Sequence, residues 1–228
     1  YTEARDVGQA AIALVPGDIN IVQWQAMGYL GQGDLKGARE VIRAAIDRGN
    51  PAPAVAAFFG GYQEVSWALE EQERQLLFRL TPAAFDNDRA GWGQTMAIAY
   101  WQQGTLVAAR AYADSALPAT AVQVAASPRD GQTHGLHALM LAYTGKKAEA
   151  IAEAKQAVEL ATPGGEGNVH YTMLLLIRTY LATGEPELAM DQIEALLPRP
   201  YVVTRAWLAI DPTFRLLKGN PRFEKMVK

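Results

Sequence analysis

Three histidines, His134, His137 and His170, are the residues of this chain best suited to chemistry. His134 and His137 are three apart, a spacing that puts two side chains on one face of a helix. His170 opens a later helix. Three imidazoles form a zinc-ligand set, so these are the metal candidates. No acidic residue adjoins them in sequence, and His134 and His137 fall on packing positions of their helix. The reading is therefore no metal and no cofactor. The serines are Ser66, Ser115 and Ser127. None lies in a Gly-x-Ser-x-Gly turn that would expose a nucleophile. The carboxylates of "ALEEQERQ", Glu70, Glu71 and Glu73, read as a solvated helix face with Arg74 and Arg79 as local partners, because acid–base pairs need a cleft. The Gly-rich "TPGGEGN" at 162–168 lacks the Lys-Ser/Thr of a phosphate loop and follows a helix, not a strand. It reads as a loop. No catalytic residue is assigned, and these residues read as non-enzymatic. The alternative is a hydrolase or metal-dependent enzyme on a helical scaffold, which a metal held by the three histidines or a pocket of converging carboxylates would mark.

The elements that carry these residues are helices. Half of the 228 residues are hydrophobic, and the formal net charge is only −3. There is no run of Lys and Arg, so no nucleic-acid partner is expected. The longest apolar stretch, "TMLLLI" at 172–177, is far below the roughly 18 residues of a membrane span, and no membrane contact is expected. Cysteine is absent, which excludes disulfides and thiolate chemistry. That fits a reducing cytoplasm or an exported domain, with the cytoplasm favoured over the periplasm. Apolar residues recur at helical spacing through Ala-rich stretches, punctuated by Gly and Pro at helix-length intervals.

Four segments share one pattern: "AMGYLGQGDLKGAREVIRAAI" (26–46), "AIAYWQQGTLVAARAYADSAL" (97–117), "ALMLAYTGKKAEAIAEAKQAV" (138–158) and "IRTYLATGEPELAMDQIEALL" (177–197). Gly stands eighth in each, at Gly33, Gly104, Gly145 and Gly184. Ala follows five residues later, at Ala38, Ala109, Ala150 and Ala189. An aromatic precedes the Gly by four at Tyr29, Tyr100 and Tyr180, with Leu141 in the remaining copy. The Gly ends one helix in a turn that other residues enter at a cost. The Ala lies where two helices cross closely. This is the tetratricopeptide pattern of paired antiparallel helices, whose unit is about 34 residues. The longer intervals from 33 to 104, 104 to 145 and 145 to 184 imply a degenerate hairpin at 51–80 and lengthened helices or loops elsewhere. The degenerate hairpin pairs "APAVAAFFG" with a second helix through "EVSWALEEQERQLLFRL".

The expected fold is all-α, a superhelical solenoid of helix pairs over 1–210: a half repeat at 1–16, repeats near 19–50, 51–80, 88–118, 131–162 and 168–200, then short capping helices at 211–228. In "DPTF" and "NPRF", Asp211 and Asn220 are N-caps and Pro212 and Pro221 suit the first helical position. Phe214, Leu217, Phe223 and Met226 are expected to dock, with Arg222, Lys225 and Lys228 facing water. The cap covers the apolar face that an open solenoid leaves at its end.

The run "HALMLAYTGKKAEAIAEAKQAVELATP" (137–163) and the run from "IRTYLATGEPELAMDQIEALL" to "DPTFRLLKGNPRFEKMV" (177–227) resemble the C-terminal tetratricopeptide region of large bacterial regulators. Those proteins carry a Ser/Thr protein kinase, winged-helix or adenylyl cyclase effector domain. The resemblance implies a non-catalytic interaction or sensor module, a fragment of a longer signalling protein. It contains no kinase glycine-rich loop, "HRD" or "DFG", so kinase activity would lie outside these residues. A concave groove lined by the first helices would take a protein or peptide segment, or other domains of the same chain. Its candidate residues are Trp24, Met27, Gln94, Thr95, Trp101, Tyr171 and Arg178. Aromatics with Arg are common anchors for a peptide. The start at Tyr1 reads as a cut through a helical hairpin, and self-association through that face is a further expectation.

Overall fold

The computed structural model describes residues 8, 10–15, 17–161 and 166–228, with the side chains of residues 166 and 167 excepted. Among these the chain is helical, with no strand. The expected half repeat at 1–16 and the Gly-rich loop lie partly outside the described residues. The chain divides into two compact units, residues 1–88 with 202–211, and residues 89–201 with 212–228.

In the first unit, α1 (Ile19–Gly31) pairs with α2 (Leu35–Asp47). Asp34 opens α2 by accepting the Gly37 N–H at 2.8 Å, which occupies one of the donors that a helix start leaves free. α3 (Ala52–Gly61) follows and packs on α2 and on α4 (Glu71–Leu77). The second helix expected through 64–80 is broken. A single 3₁₀ turn at Ser66–Ala68 and an extended Leu69 precede α4. The cause is burial: Val65, Ala68 and Leu69 are fully buried and Ser66 and Trp67 nearly so, a run enclosed at every position that a one-sided helix cannot bury. Two arginines take the carbonyls freed by the break. Arg39 Nε donates to Ala68 O at 3.1 Å and Arg74 Nη1 to Leu69 O at 2.7 Å. Trp67 packs edge-on against Trp207, with centroids 5.7 Å apart. Trp207 arrives on α11 (Arg205–Ile210), a short helix against α1 that the repeat pattern did not foretell.

The second unit is built from three hairpins: α5 (Arg89–Gln103) with α6 (Leu106–Ala126), α7 (Gly131–Tyr143) with α8 (Lys147–Ala161), and α9 (Glu166–Ala182) with α10 (Pro186–Leu196). Each later hairpin places its first helix against both helices of its predecessor. At 21 residues α6 accounts for part of the extended repeat length.

The shared register is visible at atomic level. Gly33, Gly104, Gly145 and Gly184 have φ of +78°, +82°, +85° and +75°. Each is followed by the same 6→1 bond, from Asp34, Thr105, Lys146 and Glu185 N–H to the carbonyls of Tyr29, Tyr100, Leu141 and Tyr180. This is the Schellman closure, which satisfies carbonyls that a helix end otherwise leaves open. Ala38, Ala150 and Ala189 are fully buried and Ala109 nearly so.

The tail closes the second unit. A 3₁₀ helix (Pro212–Leu217) packs on α9 and α5, and α12 (Pro221–Val227) follows. Asn220 Oδ1 accepts from Arg222 N at 2.9 Å. Phe214, Leu217 and Phe223 are buried. Asp211, expected as an N-cap, accepts the Trp207 indole N–H at 3.2 Å. Arg222, expected to face water, instead ion-pairs with Glu187, Asp191 and Glu194 of α10. These residues repeat at helical spacing and so form one acidic stripe under the cap.

Candidate functional site

The expected groove residues occupy different environments. Trp24, on α1, is 65% exposed. Three residues on from it, Met27 is buried and takes a long contact from Gln23 Nε2 to its sulfur. In the second unit Gln94 and Thr95 are buried on α5, and Arg178 is one of the largest fully enclosed side chains. Tyr171 is partly buried against the cluster of Ala97, Ile98, Leu139, Met140 and Leu175.

Trp101 is buried as well. Its ring stacks on Tyr143 with centroids 5.3 Å apart, and the Arg215 guanidinium lies 5.8 Å from the ring centroid. Arg215 also donates to Gln102 O at 2.6 Å and Trp101 O at 3.1 Å. A cation on the last carbonyls of α5 matches the negative end of the helix dipole. Trp101 is thus held from both sides, by a tyrosine and by the capping tail. Surface presentation in this set falls to Trp24.

The histidines are drawn into the packing of the second unit. His134 is buried, with Nδ1 2.7 Å from Glu153 Oε1 and Nε2 3.2 Å from Pro128 O. Both ring nitrogens are engaged, which leaves neither for a metal. Glu153 comes from α8, nineteen residues away, so no neighbour in sequence announces it. His137 is half-buried and holds Thr120 Oγ1 at 2.7 Å. Burial lowers its pKa from the ordinary 6.5; Glu153 and Glu149 oppose that, while His134 and Lys146 add to it. His170 packs against the Tyr201 ring. Among the described residues no three His, Asp or Glu side chains are grouped to hold a metal ion.

The carboxylates of 70–73 do not form one solvated face. Glu70 pairs with Arg43 of α2, Glu71 pairs with Arg74, and Glu73 is 9% exposed. Arg79 donates to Gln75 O rather than to a carboxylate. Around Arg39, Arg43 and Arg74 lies a polar cleft of about 640 Å³. The sequence held one signal of it: Lys36, Arg39 and Arg43 recur along one face of α2. Arg74 reaches the cleft only because the chain breaks at Leu69.

No protein-family model matches this chain, and no curated protein matches it.

Proposed function

We propose that the chain is a non-catalytic interaction or sensor module of tetratricopeptide type, a segment of a larger bacterial signalling protein. It binds a peptide or protein segment in a concave groove, or packs against other domains of its own chain. One observation carries this reading: four helix pairs share the same Gly closure with φ near +80° and the same buried Ala five residues later. A repeat that keeps its register but varies its surface is suited to binding, because each hairpin presents different side chains on the same scaffold. Trp24 supports the location. It is a large aromatic left in water on the first helix of a hairpin, and tryptophan is among the side chains that anchor partner segments most strongly.

The test is selection of a displayed random-peptide library on the protein, followed by affinity measurements with Trp24→Ala. The expected result is binding lost in a variant whose melting temperature is unchanged. Selected peptides that bind the variant as tightly as the parent would place the binding surface elsewhere.

A further inference from the structure

The first unit contains an arginine whose charge its carboxylate neighbour compensates only in part. Arg39 spends its Nε on Ala68 O at 3.1 Å. Its terminal nitrogens have no hydrogen-bond partner among the described residues, and Arg39 lines the cleft between α2 and α4. Burial and the positive charge of Arg74 both make the Arg39 cation less favourable; buried Glu73 offsets only part of this. Like charges held together in a part-buried cleft are costly unless an anion joins them.

The neighbouring groups are arranged to receive one. Arg74 is fixed by its bond to Leu69 O at 2.7 Å, so its position is set by backbone. Arg43 and Arg74 pair with Glu70 and Glu71, and those pairs are partly in water, with Arg43 54% and Glu71 64% exposed. Exposed pairs contribute little, so an incoming oxyanion can displace one carboxylate. The cleft wall holds three guanidinium groups against two carboxylates. Buried Glu73 adds a third carboxylate beside them, so what the cleft offers an incoming group is the unpartnered end of Arg39 rather than a surplus charge, and the planar fork of a guanidinium matches the two oxygens of a carboxylate.

We propose that the cleft bounded by Arg39, Arg43, Arg74 and Gln72 is a carboxylate-binding site that receives one acidic group of a partner segment, with Arg39 as the primary contact. The site goes beyond the groove reading, because it needs only the geometry of the first unit.

The test is an NMR titration of the whole chain, following the Arg Nε–H resonances. The probes are N-acetyl-Ala-Ala-Ala with a free carboxylate against its terminal amide, and N-acetyl-Ala-Glu-Ala-amide against the Gln form. Either carboxylate probe should shift Arg39 Nε–H, and the neutral form should not. The two pairs distinguish a chain end from an acidic side chain. Arg39→Gln should weaken binding about tenfold or more, as expected for loss of a charge-assisted bond. Glu70→Gln should tighten it, because a competing carboxylate is gone. Melting curves of both variants confirm folding. Equal shifts from charged and neutral probes, undiminished binding by Arg39→Gln, or weaker binding by Glu70→Gln would overturn the site. Inorganic phosphate binding more tightly than either carboxylate probe would overturn its ligand class.

Discussion

Thr204 Oγ1 donates to Gly31 O across 2.6 Å, joining residues 173 apart in sequence. The same oxygen accepts the Trp207 N–H at 3.1 Å. One hydroxyl therefore starts α11 and closes the last carbonyl of α1. Removing it leaves a backbone donor and a backbone acceptor without this partner.

Thr204→Val keeps the side-chain shape and deletes the hydroxyl. Loss of an N-cap costs about 1 kcal/mol, and a part-buried carbonyl left open adds about as much. The variant should lose about 2 kcal/mol in the first unit. Amide exchange of α1 and α11 should quicken together. Unchanged exchange in α1 would show that the Gly31 contact carries no stability.

In the second unit, Phe223 lies over Phe214 with ring centroids 6.4 Å apart and planes within 11°. Phe223 is 6% exposed. Phe223→Ala should cost about 3 kcal/mol, at the low end for a buried aromatic, since its edge is near solvent. Denaturant unfolding followed in α9 and α10 measures this. Stability equal to the parent would mean that α12 is not a structural cap.

Arg222 ties the same cap to α10 by charge. The carboxylates of Glu194, Asp191 and Glu187 raise its pKa well above the usual guanidinium range. The pairs are exposed, so salt should screen them: the screening length falls from about 30 Å at 0.01 M to about 3 Å at 1 M. Arg222→Met should melt below the parent at low salt, and the gap should narrow as salt rises. A gap independent of salt would assign the effect to packing instead.

The hairpins were legible because their rules are local. A Gly that closes a helix and an Ala at a crossing each act within a few residues, so Gly145 and Ala150 announce themselves. The break at Leu69 was not. It depends on Trp67 finding Trp207, and no pattern around residue 67 reports a partner so far along the chain. Glu73 read as solvated for the same reason: its helix was shortened by that break. Arg222 read as free because its partners lie on another helix. The exposure of Trp24 and the enclosure of Trp101 also escaped the sequence. Trp24 lies nine residues before Gly33 and Trp101 three before Gly104, and Tyr143 and Arg215 arrive from elsewhere in the chain to cover the second.

Gly145 separates backbone strain from crowding. Its φ is +85°, and an added Cβ would meet nothing within 4 Å. Gly145→Ala should therefore cost about 1–2 kcal/mol, all from the left-handed conformation. Gly145→Asn should cost less, since Asn tolerates that region. Gly131 poses the opposite problem, because a Cβ there would lie 2.4 Å from Ala157 O. Asn at 145 proving as harmful as Ala would point to an unrecognised contact.

His137 gives the second unit a pH dependence whose sign can be worked out. The Thr120 hydroxyl donates to Leu117 O at 3.0 Å, which uses its one proton. The 2.7 Å contact is then His137 Nδ1–H donating to Thr120 Oγ1, and Nε2 is the atom that titrates. Burial is the largest influence, and it favours the neutral ring. The folded state therefore binds this proton less readily than the unfolded chain, where histidine titrates near 6.5. Stability rises with pH wherever the unfolded state holds more protons. The contribution of His137 is present above about pH 6.5 and is lost as pH falls through its folded midpoint. Its Cε1 proton should titrate below 6.5 in the native spectrum. His137→Gln should flatten the slope of stability against pH in that window, leaving the steeper loss at lower pH where carboxylates titrate. A native midpoint at or above 6.5, or parallel slopes for parent and variant, would show that burial does not govern this histidine.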